Sequence, residues 1–312
     1  MKIYEYKTGD VLPVGDCAVA IGLFDGFHTA HRALIEKTKE EAKKKGISSG
    51  IFTFVSNDSI KRGAKKIYST KEKLKIAESL GIDFAVVADF LDISQLTAKE
   101  FVKSTLIRGL SAKVAAVGFN FRFGKGASGD ASLLDRLMRE SGGEAIVFDE
   151  YTAKGKPVSS TRIRELLSEG KMEMAAELLG EPYFLLGEVS HGDGRGRTLG
   201  LPTVNTEIPD EKLAPRSGVY VSAVIIGDEI FGGVTNVGTC PTFGERKTHA
   251  ETYILDFSGE IYGEEIQVYL LEFIRAEKQF NSADELIMQI KLDINYTIKK
   301  NGEQTWQELG LR

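Results

Sequence analysis

The chain has 312 residues, 42% apolar and 27% charged, enough to bury the core of one large globular domain or of two medium-sized ones. Its formal charge of −5 gives no electrostatic basis for nucleic acid as a main partner, and the basic clusters at Lys43–Lys45 and Lys61–Lys66 are short enough to read as solvated surface. Met1 to Asp10 lacks the apolar core of a signal peptide, and no apolar run approaches the ~20 residues of a membrane span. Cys17 and Cys240 lie far apart outside any paired motif, so the sequence points to a reducing cytoplasm, with neither a disulfide framework nor a cysteine zinc site.

In the first half, short apolar runs alternate with amphipathic stretches. Val19–Phe24, Gly50–Val55, Phe84–Ala88, Val114–Val117 and Ala145–Phe148 read as buried strands. The segments starting near His31, Ser69, Thr97 and Asp130 read as helices. Two carry capping-box spacing, Ser69 to Glu72 and Thr97 to Glu100. Alternation of this kind predicts a doubly wound parallel sheet of nucleotide-binding type, with ligands at the carboxyl ends of its strands.

A helical stretch from Ser160 to about Leu179 ends on Gly180, with Pro182 just beyond. That stop predicts a boundary between domains 1–180 and 181–312. Tyr183–Val189, Gly218–Ile226, Glu229–Val237, Glu251–Phe257 and Ile266–Ile274 then read as strands, with Gly227-Asp228 as a tight hairpin link. They predict a small antiparallel barrel. Ser282 and Glu285 cap a closing helix that runs towards Lys300.

The first chemical constellation follows the first of these strands, in Gly22-Leu23-Phe24-Asp25-Gly26-Phe27-His28-Thr29-Ala30-His31. His28 and His31 fall on one side of a turn at a helix N-terminus, where backbone N–H groups and positive potential suit a polyphosphate. The same spacing would serve a zinc pair, although no third Cys or His lies nearby. Gly118-Phe119-Asn120-Phe121-Arg122-Phe123-Gly124 follows another strand of the same sheet, where Asn120 can read an adenine edge or hold a phosphate. Ser160, Thr161 and Arg162 open a helix with hydroxyls and a guanidinium suited to phosphate oxygens, and equally suited to plain capping.

The second constellation is Gly192-Asp193-Gly194-Arg195-Gly196-Arg197-Thr198-Leu199-Gly200-Leu201-Pro202-Thr203-Val204-Asn205. Backbone N–H groups around Gly192, Gly196 and Gly200, with Arg197 among them, can wrap anionic oxygens, as could those of a surface hairpin without a ligand. In an extended segment Thr203 and Asn205 project on one side, and their oxygens suit Mg²⁺ shared with ATP. Glu251 opens a strand. It reads either as a solvated edge or as a carboxylate able to take a proton from a hydroxyl being phosphorylated. Arg275 reads as a residue closing over a ligand or as a surface ion pair.

In this order the segments resemble the bacterial bifunctional riboflavin kinase/FMN adenylyltransferase family, also called FAD synthetase. The first half matches the pattern G-x-F-D-G-x-H-x-G-H, then G-x-N/D-F-x-F-G, then I-S-S-T-x-I-R. The second matches G-R-x-L-G-F-P-T-A-N with Leu201 for Phe and Val204 for Ala, then Gly218-Val219-Tyr220, Asn236-Val237-Gly238-Thr239-Cys240-Pro241-Thr242-Phe243, Glu251, Leu255-Asp256-Phe257, Tyr262-Gly263 and Ile274-Arg275-Ala276-Glu277. The resemblance implies phosphorylation of riboflavin to FMN and adenylylation of FMN to FAD, using ATP and Mg²⁺, with riboflavin, FMN and ATP as its small-molecule partners. It implies that Thr203 and Asn205 bind Mg-ATP, with Gly192, Gly196, Arg197 and Gly200 in the phosphate loop. Glu251 would be the general base and Arg275 would help close the flavin site. In the first half, Gly22, Phe24, Asp25, His28, His31, Asn120, Ser160, Thr161 and Arg162 would bind ATP or FMN, the two histidines stabilising phosphates. Two departures fall there: Ala30 stands where the family carries glycine, and Thr53-Phe54-Val55-Ser56-Asn57-Asp58 lacks a Pro-His-Pro pattern.

Overall fold

Cys17–Ile21, all small or β-branched apart from its cysteine, is buried at every position and forms the middle of a parallel sheet. The computed structural model describes residues 1–55, 65–153, 155–190, 201–242 and 245–303, with Trp306 and Leu311. By contacts the chain forms two compact units, 1–159 and 160–312.

The first unit contains β1 (Lys2–Tyr6), β2 (Cys17–Ile21), α1 (Thr29–Lys45), β3 (Ser48–Val55), α2 (Thr70–Ser79), β4 (Phe84–Asp89) and α3 (Phe90–Ser94). Next come α4 (Ala98–Glu100), running into a π-helical segment Phe101–Gly109, then β5 (Ala112–Gly118) and the short pair β6 (Arg122–Phe123) and β7 (Gly129–Asp130). It closes with α5 (Ala131–Glu140), β8 (Glu144–Phe148) and a second short pair, β9 (Thr152–Ala153) and β10 (Lys156–Pro157). The main sheet runs β1-β4-β3-β2-β5-β8, parallel throughout.

One face packs Tyr6, Phe52, Phe101 and Phe123 edge-on or tilted against one another, and the other packs Ala18 and Val114 against Ala42 of α1. Both expected capping boxes are present, at Ser69/Glu72 and Thr97/Glu100, and Asp130 caps α5 through the Leu133 amide. From β2 the chain moves to β3 and β4 on one side, and β5 and β8 lie on the other. The carboxyl ends of β2 and β5 therefore flank a topological switch point.

The second unit opens with α6 (Ser160–Glu169) and α7 (Met172–Leu179). The single helix expected over Ser160–Leu179 is broken at Gly170, whose φ of +77° turns the chain; a Cβ there would meet Phe273 and Arg216. Because this helix pair packs on barrel residues, the division by contacts falls before it rather than at Gly180.

The barrel is closed and antiparallel in the order β11-β12-β15-β14-β13-β16. Its strands are β11 (Phe184–Ser190), β12 (Thr203–Ile208), β13 (Gly218–Ile226), β14 (Glu229–Thr242), β15 (Glu245–Ile254) and β16 (Glu265–Arg275). Ile226 pairs with Glu229, so Gly227-Asp228 is the two-residue hairpin link, with Gly227 at φ +58°. α8 (Ala283–Glu303), capped by the Ser282 hydroxyl on the Glu285 amide, packs on β13 and β14.

Two candidate active sites

In the first unit the chain leaves β2 through a turn that its own sequence strains. Phe24 and Phe27 hold φ of 48° and 41°, costing on the order of 1–3 kcal/mol each. Burial of both rings against each other, centroids 5.3 Å apart, offsets that cost, and the Phe24 ring also meets His31 edge-on. His28 is the N-cap residue of α1 and His31 lies one turn on. Their imidazoles stack at 3.7 Å with an interplanar angle of 13°.

Neither Nδ1 has a hydrogen-bond partner among the described residues. Burial pushes His28 down to about 4, and His31 is held well below its ordinary value by burial, then by the charges of His28 and Lys73. At neutral pH the pair is therefore neutral, each ring keeping one N–H to donate at a helix N-terminus that attracts anions.

The turn is clamped from two sides. Gly22 donates its amide to the Phe52 carbonyl of β3, and Asp25 Oδ1 accepts the Ile67 amide at 2.9 Å. The Leu23 carbonyl accepts both the Thr53 hydroxyl and the Lys73 ammonium. Asn120 is exposed in the turn after β5, the strand paired directly with β2, so the two loops leave the same edge of the sheet. Ala30 lies in the first turn of α1 with no positive φ, a backbone that accepts alanine. Ser160, half-buried, and Thr161, exposed, open α6 with Arg162, which is half-buried. Ser56, Asn57 and Asp58 lie outside the described residues. Cys17 is a core thiol, its Sγ donating to the Leu110 carbonyl and its pKa pushed by burial up to about 12.

In the barrel, strand register assembles the second site. Asn205 pairs with Glu251, Glu251 with Asn236, Asn236 with Val219, and Val219 with Arg275. Paired residues share a face, so these five form one row across β12, β15, β14, β13 and β16. Thr252, Thr235 and Ser222 fill the opposite, buried face with a chain of hydroxyl hydrogen bonds at 2.8 and 2.9 Å.

Thr203, on the same side as Asn205, donates its hydroxyl to Glu251 Oε1 at 2.7 Å. Three expected residues thus converge. Asn236, whose motif spacing alone assigns it no role, stands across from Glu251, and its amide reaches Glu277 at 3.5 Å. At the far end Arg275 is held by Asp293 of α8, Nη2 to Oδ2 at 2.7 Å, while Nη1 donates to the Ala276 carbonyl. Asp293 also accepts from Gln289. Gly192, Gly196, Arg197 and Gly200 lie outside the described residues.

Among the described residues no three His, Cys, Asp or Glu converge as a metal cluster. The hydroxyl oxygen of Thr203 and the amide oxygen of Asn205 are hard donors, of the kind Mg²⁺ takes alongside nucleotide oxygens.

Residues 13–162 match the family model for FAD synthetase, and residues 179–300 the model for riboflavin kinase. Bifunctional riboflavin kinase/FMN adenylyltransferase of Escherichia coli K12 is 34% identical over 90% of this chain and 91% of its own. The protein of that name from Listeria monocytogenes is 35% identical over 88% and 89%, and that from Bacillus subtilis 34% over 90% and 91%. The chain belongs to the bifunctional riboflavin kinase/FMN adenylyltransferase family. Within solved structures, a protein of Streptococcus pneumoniae described as a macrolide-efflux protein shares the fold, with a TM-score of 0.83 and 30% identity over 95% of this chain and 99% of that one. Among the described residues of this family member no helix is long and apolar enough to cross a membrane. The FAD synthetase match covers the histidine turn and Asn120, and the riboflavin kinase match covers the whole Asn205–Glu251–Asn236 row.

Proposed function

We infer that this chain carries out two consecutive ATP-dependent reactions: phosphorylation of riboflavin to FMN in the barrel, then transfer of AMP from a second ATP to FMN, giving FAD and pyrophosphate. The observation that carries the kinase reading is the Thr203–Glu251 hydrogen bond at 2.7 Å, with Asn205 and Asn236 on either side of Glu251 in the row. Thr203 fixes one carboxylate oxygen. The other accepts the proton of riboflavin's primary hydroxyl as that oxygen bonds to the γ-phosphorus of ATP and ADP departs.

Thr203 and Asn205 would hold Mg²⁺, which supplies charge neutralisation of the phosphates when bound. Gly192, Gly196, Arg197 and Gly200 would line the phosphates, and Arg275 would close the flavin side. In the parallel-sheet reaction an FMN phosphate oxygen attacks the α-phosphorus of ATP and the bond to pyrophosphate breaks. Neutral His28 and His31 donate hydrogen bonds to the charge gathering on the leaving group, a role supported by their position at the N-terminus of α1. Gly22, Phe24 and Asp25 shape that turn, and Asn120, Ser160, Thr161 and Arg162 hold the nucleotide. We assign the domains of the two reactions to 1–180 and 181–312 and place the enzyme in the cytoplasm.

Glu251→Gln tests the assignment. Riboflavin phosphorylation should fall by about 10²- to 10⁴-fold, the usual worth of a general base, while FAD formation from supplied FMN stays unchanged. Undiminished phosphorylation would remove Glu251 from the mechanism.

A further inference from the structure

Lys73 is a buried charged residue of the first unit that the reaction above does not use. It lies in the first turns of α2, only 5% exposed, and its ammonium donates to the Leu23 carbonyl at 3.0 Å. Leu23 immediately precedes Phe24, where the strained turn bearing the histidines begins. A surface lysine would leave its head in water, whereas this one is folded inward although burial of an ammonium costs free energy.

The charged groups around it come from several elements. Asp25 of the β2–α1 turn favours its positive charge, and Lys66, ahead of α2, opposes it. His31 of α1 is pushed down by it, with His28 stacked behind, while Glu72 beside it in α2 is occupied in the capping box with Ser69. Burial brings Lys73 itself down to about 8. The ammonium is thus mostly charged at neutral pH and loses its charge in mild alkali. A phosphate arriving at the N-terminus of α1 gains its attraction, and the pinned Leu23 carbonyl keeps the histidine turn in place.

We propose that Lys73 is a positioning residue of the adenylyl-transfer site, fixing the histidine turn through the Leu23 carbonyl and supplying a buried positive charge behind His31. This rests on the reading of the first unit as the adenylyltransferase.

The test uses the full chain, with FAD formation from FMN and ATP and riboflavin phosphorylation measured on each preparation. Lys73→Met should lower kcat/KM for adenylyl transfer by tenfold or more, with riboflavin kinase turnover within twofold of wild type. The wild-type adenylyl-transfer profile should fall above about pH 8. Lys73→Arg, which keeps its charge there, should retain activity at neutral pH and lose that fall. Adenylyl transfer by Lys73→Met within twofold of wild type would overturn the proposal. If Lys73→Met does not fold, the arginine variant decides, and a fall still centred near pH 8 overturns it. Wild-type protein that forms no FAD sinks the adenylyltransferase reading itself, whereas wild-type FAD synthesis with an unaltered profile in both variants sinks the role of Lys73 alone.

Discussion

Acid should destabilise the parallel-sheet unit through His28, and the size of the effect follows from its burial. The imidazole is 6% exposed and lowered to about 4, against 6.5 for an unperturbed histidine. Between those two values the unfolded chain binds a proton that the folded one does not, so stability rises with pH across that window and falls as pH drops through it. At pH 5 the unfolded imidazole is nearly all protonated and the folded one nearly all neutral, which costs roughly 2 kcal/mol relative to pH 8 at 1.36 kcal/mol per decade. His28→Gln removes that titration while His31, lowered in the same direction, stays in both proteins. Urea denaturation at pH 5 and pH 8, followed by amide exchange in β2 and α1, measures the difference. Trp306, the single tryptophan, belongs to the barrel unit, so its fluorescence follows that unit as an internal control. Wild type should lose about 2 kcal/mol more than the variant between pH 8 and pH 5. Equal losses would refute the claim that His28 is held neutral by burial.

Two further substitutions probe the barrel. Asp293→Ala leaves the mostly buried Arg275 guanidinium without its carboxylate, which is 4% exposed, and should cost about 3 kcal/mol, read as a lower melting temperature by Trp306 fluorescence. Gly218→Ala drives a Cβ into the Arg275 carbonyl at a φ of +147°; it should destabilise the barrel by about 1–3 kcal/mol in the same melt, with the first unit unaffected.

Local signals carried the sequence far where the physics is local. Ser69/Glu72 and Thr97/Glu100 satisfy helix-end donors within four residues, and both helices begin where those pairs place them. The hairpin at Gly227-Asp228 is equally local. β1 went unread because Lys2–Tyr6 is an edge strand that carries Lys2 and Glu5 and buries only Tyr6, so it lacks the continuous apolar run of the inner strands. The break at Gly170 escaped because apolar spacing continues on both sides of it, and an isolated glycine within a helical pattern does not by itself announce a left-handed turn. Phe24, read as the end of a strand, turned out to be a strained turn residue, held there by ring packing that spacing does not encode.

In the sites, Thr203 and Asn205 were legible from period-two alternation. Their convergence with Glu251 depends on the register of strands 48 residues apart in sequence. Asn236, Asp293 and Lys73 were missed for the same reason: each acquires its place through a partner on another element. Motif spacing could have flagged Asn236, which lies in the N-x-G-x-x-P-T-F match, but nothing in the sequence around Lys73 shows that its ammonium turns inward to Leu23.

The central claim, two flavin reactions in one chain, is tested most directly by incubating the purified protein with riboflavin, ATP and Mg²⁺ and separating the flavins by chromatography over time. FMN should appear first and FAD follow at its expense, with ADP and then pyrophosphate released. FMN that accumulates without FAD would contradict the adenylyltransferase half of the account, and riboflavin that remains unchanged would contradict both halves.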